Sequence, residues 1–105
     1  MMRSLGILEV CGFSTALLAI NKMLQDCDIK IVTVDIDKPA VAELDKIPLT
    51  AQVKFVGSVS DVKHALEVGR NVALKYNEEQ EVIARVIPNY HEDMIPLMKL
   101  TKLKK

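Results

Sequence analysis

Tryptophan is absent from this chain of 105 residues, and two phenylalanines and two tyrosines are its only aromatic side chains. Half of the residues are nevertheless hydrophobic, so whatever core forms has to be aliphatic. Net charge is missing too: 14 basic residues balance 14 acidic ones. That balance excludes broad electrostatic attraction to nucleic acid or to an anionic membrane. The local exception is segment 99–105, where Lys99, Lys102, Lys104 and Lys105 crowd together and read as a solvated basic tail. Cysteine is scarce. Cys11 and Cys27 are too far apart for a Cys-x-x-Cys motif and make no disulfide framework, so free thiols in a reducing cytoplasm are expected. No apolar run is long enough to span a bilayer. Glu9 and Gly12 interrupt the one stretch that would otherwise suggest a signal peptide.

The same scarcity bears on chemistry. Gly6, Gly12, Gly57 and Gly69 are scattered singly, which excludes a Gly-rich phosphate-binding loop. There are two histidines. His91 is followed by Glu92 and Asp93, but three consecutive side chains cannot converge on one ion from a strand or a helix. His64 lies beside Lys63 on the polar side of a helical segment, where surface placement is expected. Cys11 precedes a helix start, which favours a thiolate, yet it has no basic neighbour in sequence. Cys27 reads as a small buried hydrophobe. No catalytic constellation, metal site or cofactor site is predicted, and the chain is not expected to be an enzyme.

What the sequence does contain is a regular alternation of short elements. Ser4–Val10 alternates and predicts a first strand. From Phe13 the period lengthens: Phe13, Leu17, Ile20 and Leu24, with Ala16 and Met23 alongside, predict the inner face of a helix. Ile29–Ile36 is β-branched and predicts a second strand. In Ala51–Gly57, Ala51, Val53 and Phe55 alternate with Gln52 and Lys54, a third strand with one wetter face. Ser58 stands three residues before Asp61, the spacing of a helix cap. Val62, Leu66, Gly69, Ala73 and Tyr76 predict that second helix's inner face. Glu81–Ile87 predicts a fourth strand, stopped by Pro88. The result is a single α/β (α+β) domain over 1–105 in the order βαββαβ, two helices packed on one sheet. One connection is out of proportion: Asp37–Leu49 carries two prolines where a hairpin needs only a few residues.

Three stretches in this order resemble bacterial microcompartment shell proteins. "SLGILEVCGFSTALLAINKML" is similar to their opening strand and first helix, and "VKFVGSVSDVKHALEVG" to their third strand and second helix. "ARVIPNYHED" resembles their closing strand and the Ile-Pro-Arg-Pro-His segment after it. The resemblance implies a ferredoxin-like fold with a mainly antiparallel four-stranded sheet, two main helices and a short C-terminal helix. It also implies a homohexameric tile that assembles with other shell proteins in the cytoplasm and passes small metabolites through a central pore. On this resemblance Asp37, Lys38, Pro39, Glu43, Asp45, Lys46, Ile47 and Pro48 belong to the pore loop. Gln25, Pro88, Asn89, Tyr90 and His91 belong to the hexamer edge. There Asn89 and Gln25 replace an arginine and a lysine of the family, and Tyr90 replaces a proline. The pore loop is about nine residues longer than the family's short Gly-rich turn, a length at which loops are usually functional. The segment "DKIPL" resembles the Gly-x-Cys-Pro cluster-binding segment of glycyl-radical-associated members, with Ile47 in place of the cysteine. No iron–sulfur cluster is therefore expected, because its ligands are thiolates. The same fold class hosts many functions. A second reading is thus an oligomeric regulator whose long loop closes over a small effector.

Overall fold

The computed structural model describes residues 3–37 and 49–90, with side chains described for 3–36 and 49–88. Strand β1 (Arg3–Cys11) leads through Gly12 into helix α1 (Phe13–Asp26), and β2 (Ile29–Asp37) and β3 (Thr50–Gly57) follow. Helix α2 (Val59–Ala73), a single 3-10 turn (Glu79–Glu81) and β4 (Ile83–Tyr90) complete the order. The strands lie side by side as β2-β3-β1-β4, and every neighbouring pair is antiparallel. This is the expected βαββαβ ferredoxin-like sheet. The short C-terminal helix falls outside the described residues.

Strand alternation places the core. In β1, Leu8 and Val10 point to the helix-covered face and meet Val53 and Ala51 of β3 in register. Ala16, Ala19 and Met23 of α1 and Val62, Ala65 and Leu66 of α2 close over them. A smaller cluster, Leu5 with Val56, occupies the other face, and Ile7 and Val32 pack against it. Gln52 and Lys54 of β3 are only partly buried, as the alternation predicts.

Helix α2 begins where the capping signal stands. The Ser58 hydroxyl accepts the Asp61 N–H at 3.1 Å and donates to the Asp61 carboxylate at 2.8 Å. Asp61 also places negative charge in the first turn, where the helix dipole favours it. Ser58→Ala removes the only side chain that accepts a backbone N–H at this terminus among the described residues. It should lower subunit stability by about 1 kcal/mol, read as a lower urea midpoint at an unchanged slope.

Three expectations need correction. The first concerns α1, whose buried residues are Thr15, Ala16, Ala19 and Met23. Ile20 packs partly against the core, but Phe13, Leu17 and Leu24 are close to half exposed. The helix is apolar on more than one side, and the sheet takes the side where the smaller Thr15, Ala16 and Ala19 let the helix axis approach closely, while the one long side chain there, Met23, packs over Gly69. The second concerns Tyr76, which lies beyond the end of α2 and is 60% exposed rather than on the inner face. The third is β4. Glu81 belongs to the 3-10 turn, and the strand runs through Pro88 to Tyr90 instead of stopping there. Pro88 is tolerated because β4 is an edge strand that pairs only with β1. It also sits where the register slips: Leu5 faces Ile87, but Arg3 faces Tyr90. A proline has no N–H to give a ladder, and an edge bulge asks for none.

Candidate functional site

The topology sorts the candidate residues to two ends of the sheet. Cys11, Asp37 and Thr50 meet at one end, where Thr50 is in register with both of the others. The Gly12 N–H donates to the Leu49 carbonyl there at 2.6 Å. This end is the root of the long β2–β3 connection. Asp37 closes β2, while Lys38, Pro39, Glu43, Asp45, Lys46, Ile47 and Pro48 lie outside the described residues. Gly12 turns the chain from β1 into α1 at φ 95°, a conformation glycine adopts without strain.

At the opposite end β1 starts at Arg3, beside the end of β4. Helix α1 runs back toward that end and finishes beside the start of β2. Gln25, exposed in its last turn, and Pro88, exposed on β4, are therefore both brought to the end away from the loop root. The backbone of Asn89 and Tyr90 continues β4. Their side chains, and all of His91, are outside the described residues.

Among the described residues, the groups with reactive chemistry are placed without partners for it. Both cysteines are free and partly exposed. Burial pushes the Cys11 thiol up, and the Glu81 carboxylate, which also hydrogen-bonds to it, pushes it further, with Glu9 adding to the effect. Burial likewise raises Cys27, helped by Asp26 and Asp61. Both thiols stay protonated at neutral pH, the opposite of what a nucleophile or a metal ligand requires. His64 is exposed on α2. Among the described residues no cluster of His, Cys, Asp or Glu could hold a metal ion, and no helix is long and apolar enough to cross a membrane. A hollow of about 390 Å³ opens beside the start of α2, where Arg3 and Lys30 alternate with Asp28 and Asp61. Its mixed charges favour no one ligand class.

What the described surface does offer is apolar area on two opposite flanks. Helix α1 lies over β3, reaching β1 on one side and β2 on the other, and α2 lies over β1 and β4. Lys22 and Asp26, paired at 3.4 Å, line the groove that α1 forms with α2 at Val68 and Val72. At about 100° per residue, Phe13, Leu17 and Leu24 sit on the other side of α1 from Lys22. They face out past the β2 edge, where Val34 is also exposed. Across the sheet, Ile83 and Ile87 lie on edge strand β4 opposite Glu9 and Leu5, on the face away from the helices, and are 36% and 41% exposed. The sequence carried a signal for the first flank, since α1 has a small-residue stripe and a large-residue stripe a third of a turn apart. A helix that is apolar over so wide an arc has two partners to satisfy.

Comparison with known proteins accounts for this architecture. The solved structures similar to the chain include a microcompartment protein from Desulfitobacterium hafniense DCB, with a TM-score of 0.68 and 20% sequence identity. The alignment covers 90% of this chain but 46% of that one, so this chain spans less than half of its length. At this identity the likeness concerns the fold. None of the curated proteins matches the sequence. The BMC domain model matches residues 4–90, from the second residue of β1 to the last of β4. On that match the chain belongs to the BMC-domain family, the structural, non-enzymatic shell proteins of bacterial microcompartments.

Proposed function

We propose that the chain is a hexamer-forming tile of a cytoplasmic microcompartment shell, with segment 37–49 directed at a central pore for small metabolites. The observation that carries this reading is the pair of apolar flanks. A ring closes through a heterologous contact, in which one patch of each subunit meets a different patch of the next. Phe13, Leu17 and Leu24 on the α1 flank and Ile83 and Ile87 on the β4 edge are two such patches, on opposite sides of one subunit. A two-fold dimer would need only one. The number six, and assembly with other shell proteins, come from the family.

The two ends of the sheet divide the remaining roles. The loop root at Cys11, Gly12 and Thr50 lies away from the end that holds Gln25 and Pro88, as a tile with an inner rim and an outer rim requires. In a six-fold ring each charge near the axis is repeated six times. Lys38 and Lys46 interleave with Asp37, Glu43 and Asp45, and opposite charges from neighbouring subunits would offset a repulsion of several kcal/mol between like ones. Pro39 and Pro48 restrict the backbone at the two ends of the loop. The segment narrows or caps the opening. At the outer rim, Gln25 and Asn89 give neighbouring hexamers no cation to hold, so the tile associates with copies of itself weakly and joins other shell proteins.

Native mass spectrometry and electron microscopy of the full chain test the proposal. Six-fold discs are expected, and replacing 38–48 by a short Gly-Ser turn should leave the disc intact while widening its centre. A monomer at micromolar concentration would overturn the reading. So would dimers or trimers, which favour the small-molecule regulator. A loop seen at the outer rim would remove the pore assignment alone.

A further inference from the structure

One side chain joins parts of the chain 66 residues apart at the loop root. Pairing of β4 with β1 reaches Glu9, opposite Ile83, and goes no further. The peptide groups of Cys11, two residues on, therefore have no strand beside them on the β4 side. Asn77 takes that place. Its Oδ1 accepts the Cys11 N–H at 2.9 Å, and its Nδ2 donates to the Cys11 carbonyl at 3.1 Å. In an antiparallel ladder the N–H and C=O of one residue point the same way and bond to one partner residue. A single side-chain amide supplies the same donor and acceptor. Asn77 thus lengthens the sheet by one rung without a strand.

The residues on either side of this rung give it a use. Asn77 is itself tied to the end of α2, because its backbone N–H donates to the Ala73 carbonyl at 2.8 Å. Ala73 is fully buried in the core. On the far side of Cys11, the next N–H, that of Gly12, points toward β3 and meets the Leu49 carbonyl. The Gly12 N–H belongs to the same peptide group as the Cys11 carbonyl and points the opposite way, so Asn77 on one side and Leu49, one register step beyond Cys11–Thr50, on the other hold a single peptide plane at the point where β1 ends. We infer that Asn77 is a positioning residue: through Cys11 it aims the Gly12 N–H at Leu49, and so couples the C-terminus of α2 to the root of the long connection. The inference goes beyond the proposed function and holds whether or not the connection lines a pore.

Amide hydrogen exchange on the full chain tests it residue by residue. In Asn77→Ala the Cys11 amide loses its acceptor outright, and the Gly12 amide, which Asn77 does not touch, should also exchange about tenfold faster, the loss of one ordinary hydrogen bond. The amides of Leu8 and Val53 in the sheet centre should keep their protection. Asn77→Asp separates the donor from the acceptor. Its carboxylate still accepts the Cys11 N–H but has no hydrogen for the carbonyl, so Gly12 protection should be lost at neutral pH. Protonating the carboxyl in acid restores a donor, and with it the protection factor of Gly12. Unchanged Gly12 protection in Asn77→Ala would overturn the inference. An equal loss at Leu8 and Val53 would overturn it as well, since that marks a global change in stability. If acid fails to restore Gly12 in Asn77→Asp, the amide's two-sided role is wrong.

Discussion

Leu17→Glu is expected to leave the subunit folded and to abolish the proposed ring. Leu17 is 48% exposed on the isolated subunit, so half of the introduced side chain stays in water and the core residues beneath α1 are untouched. Glutamate is also a good helix former, and the helix itself loses little. In the proposed ring the same position lies in an apolar contact, where an unpaired carboxylate costs several kcal/mol unless it takes up a proton. Each 1.4 kcal/mol lost from a contact is a factor of ten in its dissociation constant, so the contact should weaken by at least about a hundredfold. Leu18 supplies the control. It is 45% exposed, almost the same as Leu17, but lies about a quarter of a turn round the helix, off the large-residue stripe. Leu18→Glu should sediment like the wild type. The two variants with matched far-UV spectra, compared by analytical ultracentrifugation, decide the matter. A ring in Leu17→Glu, or equal dissociation of both variants, would show that the α1 flank is not the contact.

The second large effect is expected inside the subunit. Gly6 faces Phe55 across the β1–β3 pair, and the Phe55 ring lies over the glycine Cα. A Cβ built on Gly6 would stand 2.5 Å from Cζ and 2.6 Å from Cε2 of that ring. Phe55 has no exposed surface into which to swing. Gly6→Ala therefore forces either a strained Phe55 rotamer or a separation of the two central strands. A cost of about 2–3 kcal/mol follows for overpacking of this kind. The measurement is the urea midpoint at a fixed protein concentration, since assembly makes apparent stability depend on concentration. Phe55→Leu removes the obstructing ring atoms at its own cost, and in that background Gly6→Ala should be at least about 1 kcal/mol less harmful, a coupling expected of residues in contact. Strict additivity would mean that the ring and the glycine do not meet.

Some consequences of the sequence are local, and those could be read from it. Strands β1 to β3 and both helices lie close to where their periodicities put them, because alternation and the 3.6-residue period are properties of short segments. The Ser58 cap is legible for the same reason: a hydroxyl and a backbone N–H three residues apart need no other part of the chain. The order βαββαβ then admits few arrangements, and the central place of β1 and β3 follows once two helices must cover one face. The family was legible too, in three stretches whose order survives the long connection between β2 and β3.

Tertiary structure decided the rest. Periodicity shows that α1 has an apolar stripe of large residues, not which surface will cover it. The sheet took Ala16, Ala19 and Met23, and left Phe13, Leu17 and Leu24 outward. Pro88 marks a strand end only if both neighbours demand hydrogen bonds. Whether β4 is an edge strand is settled by the whole sheet. Tyr76 continued the apolar spacing of α2 on paper, but the helix had already ended at Ala73. In the sequence Asn77 is one polar residue among several after that helix. Its function as a missing rung exists only because the fold brings it to Cys11, across a separation over which no local pattern extends.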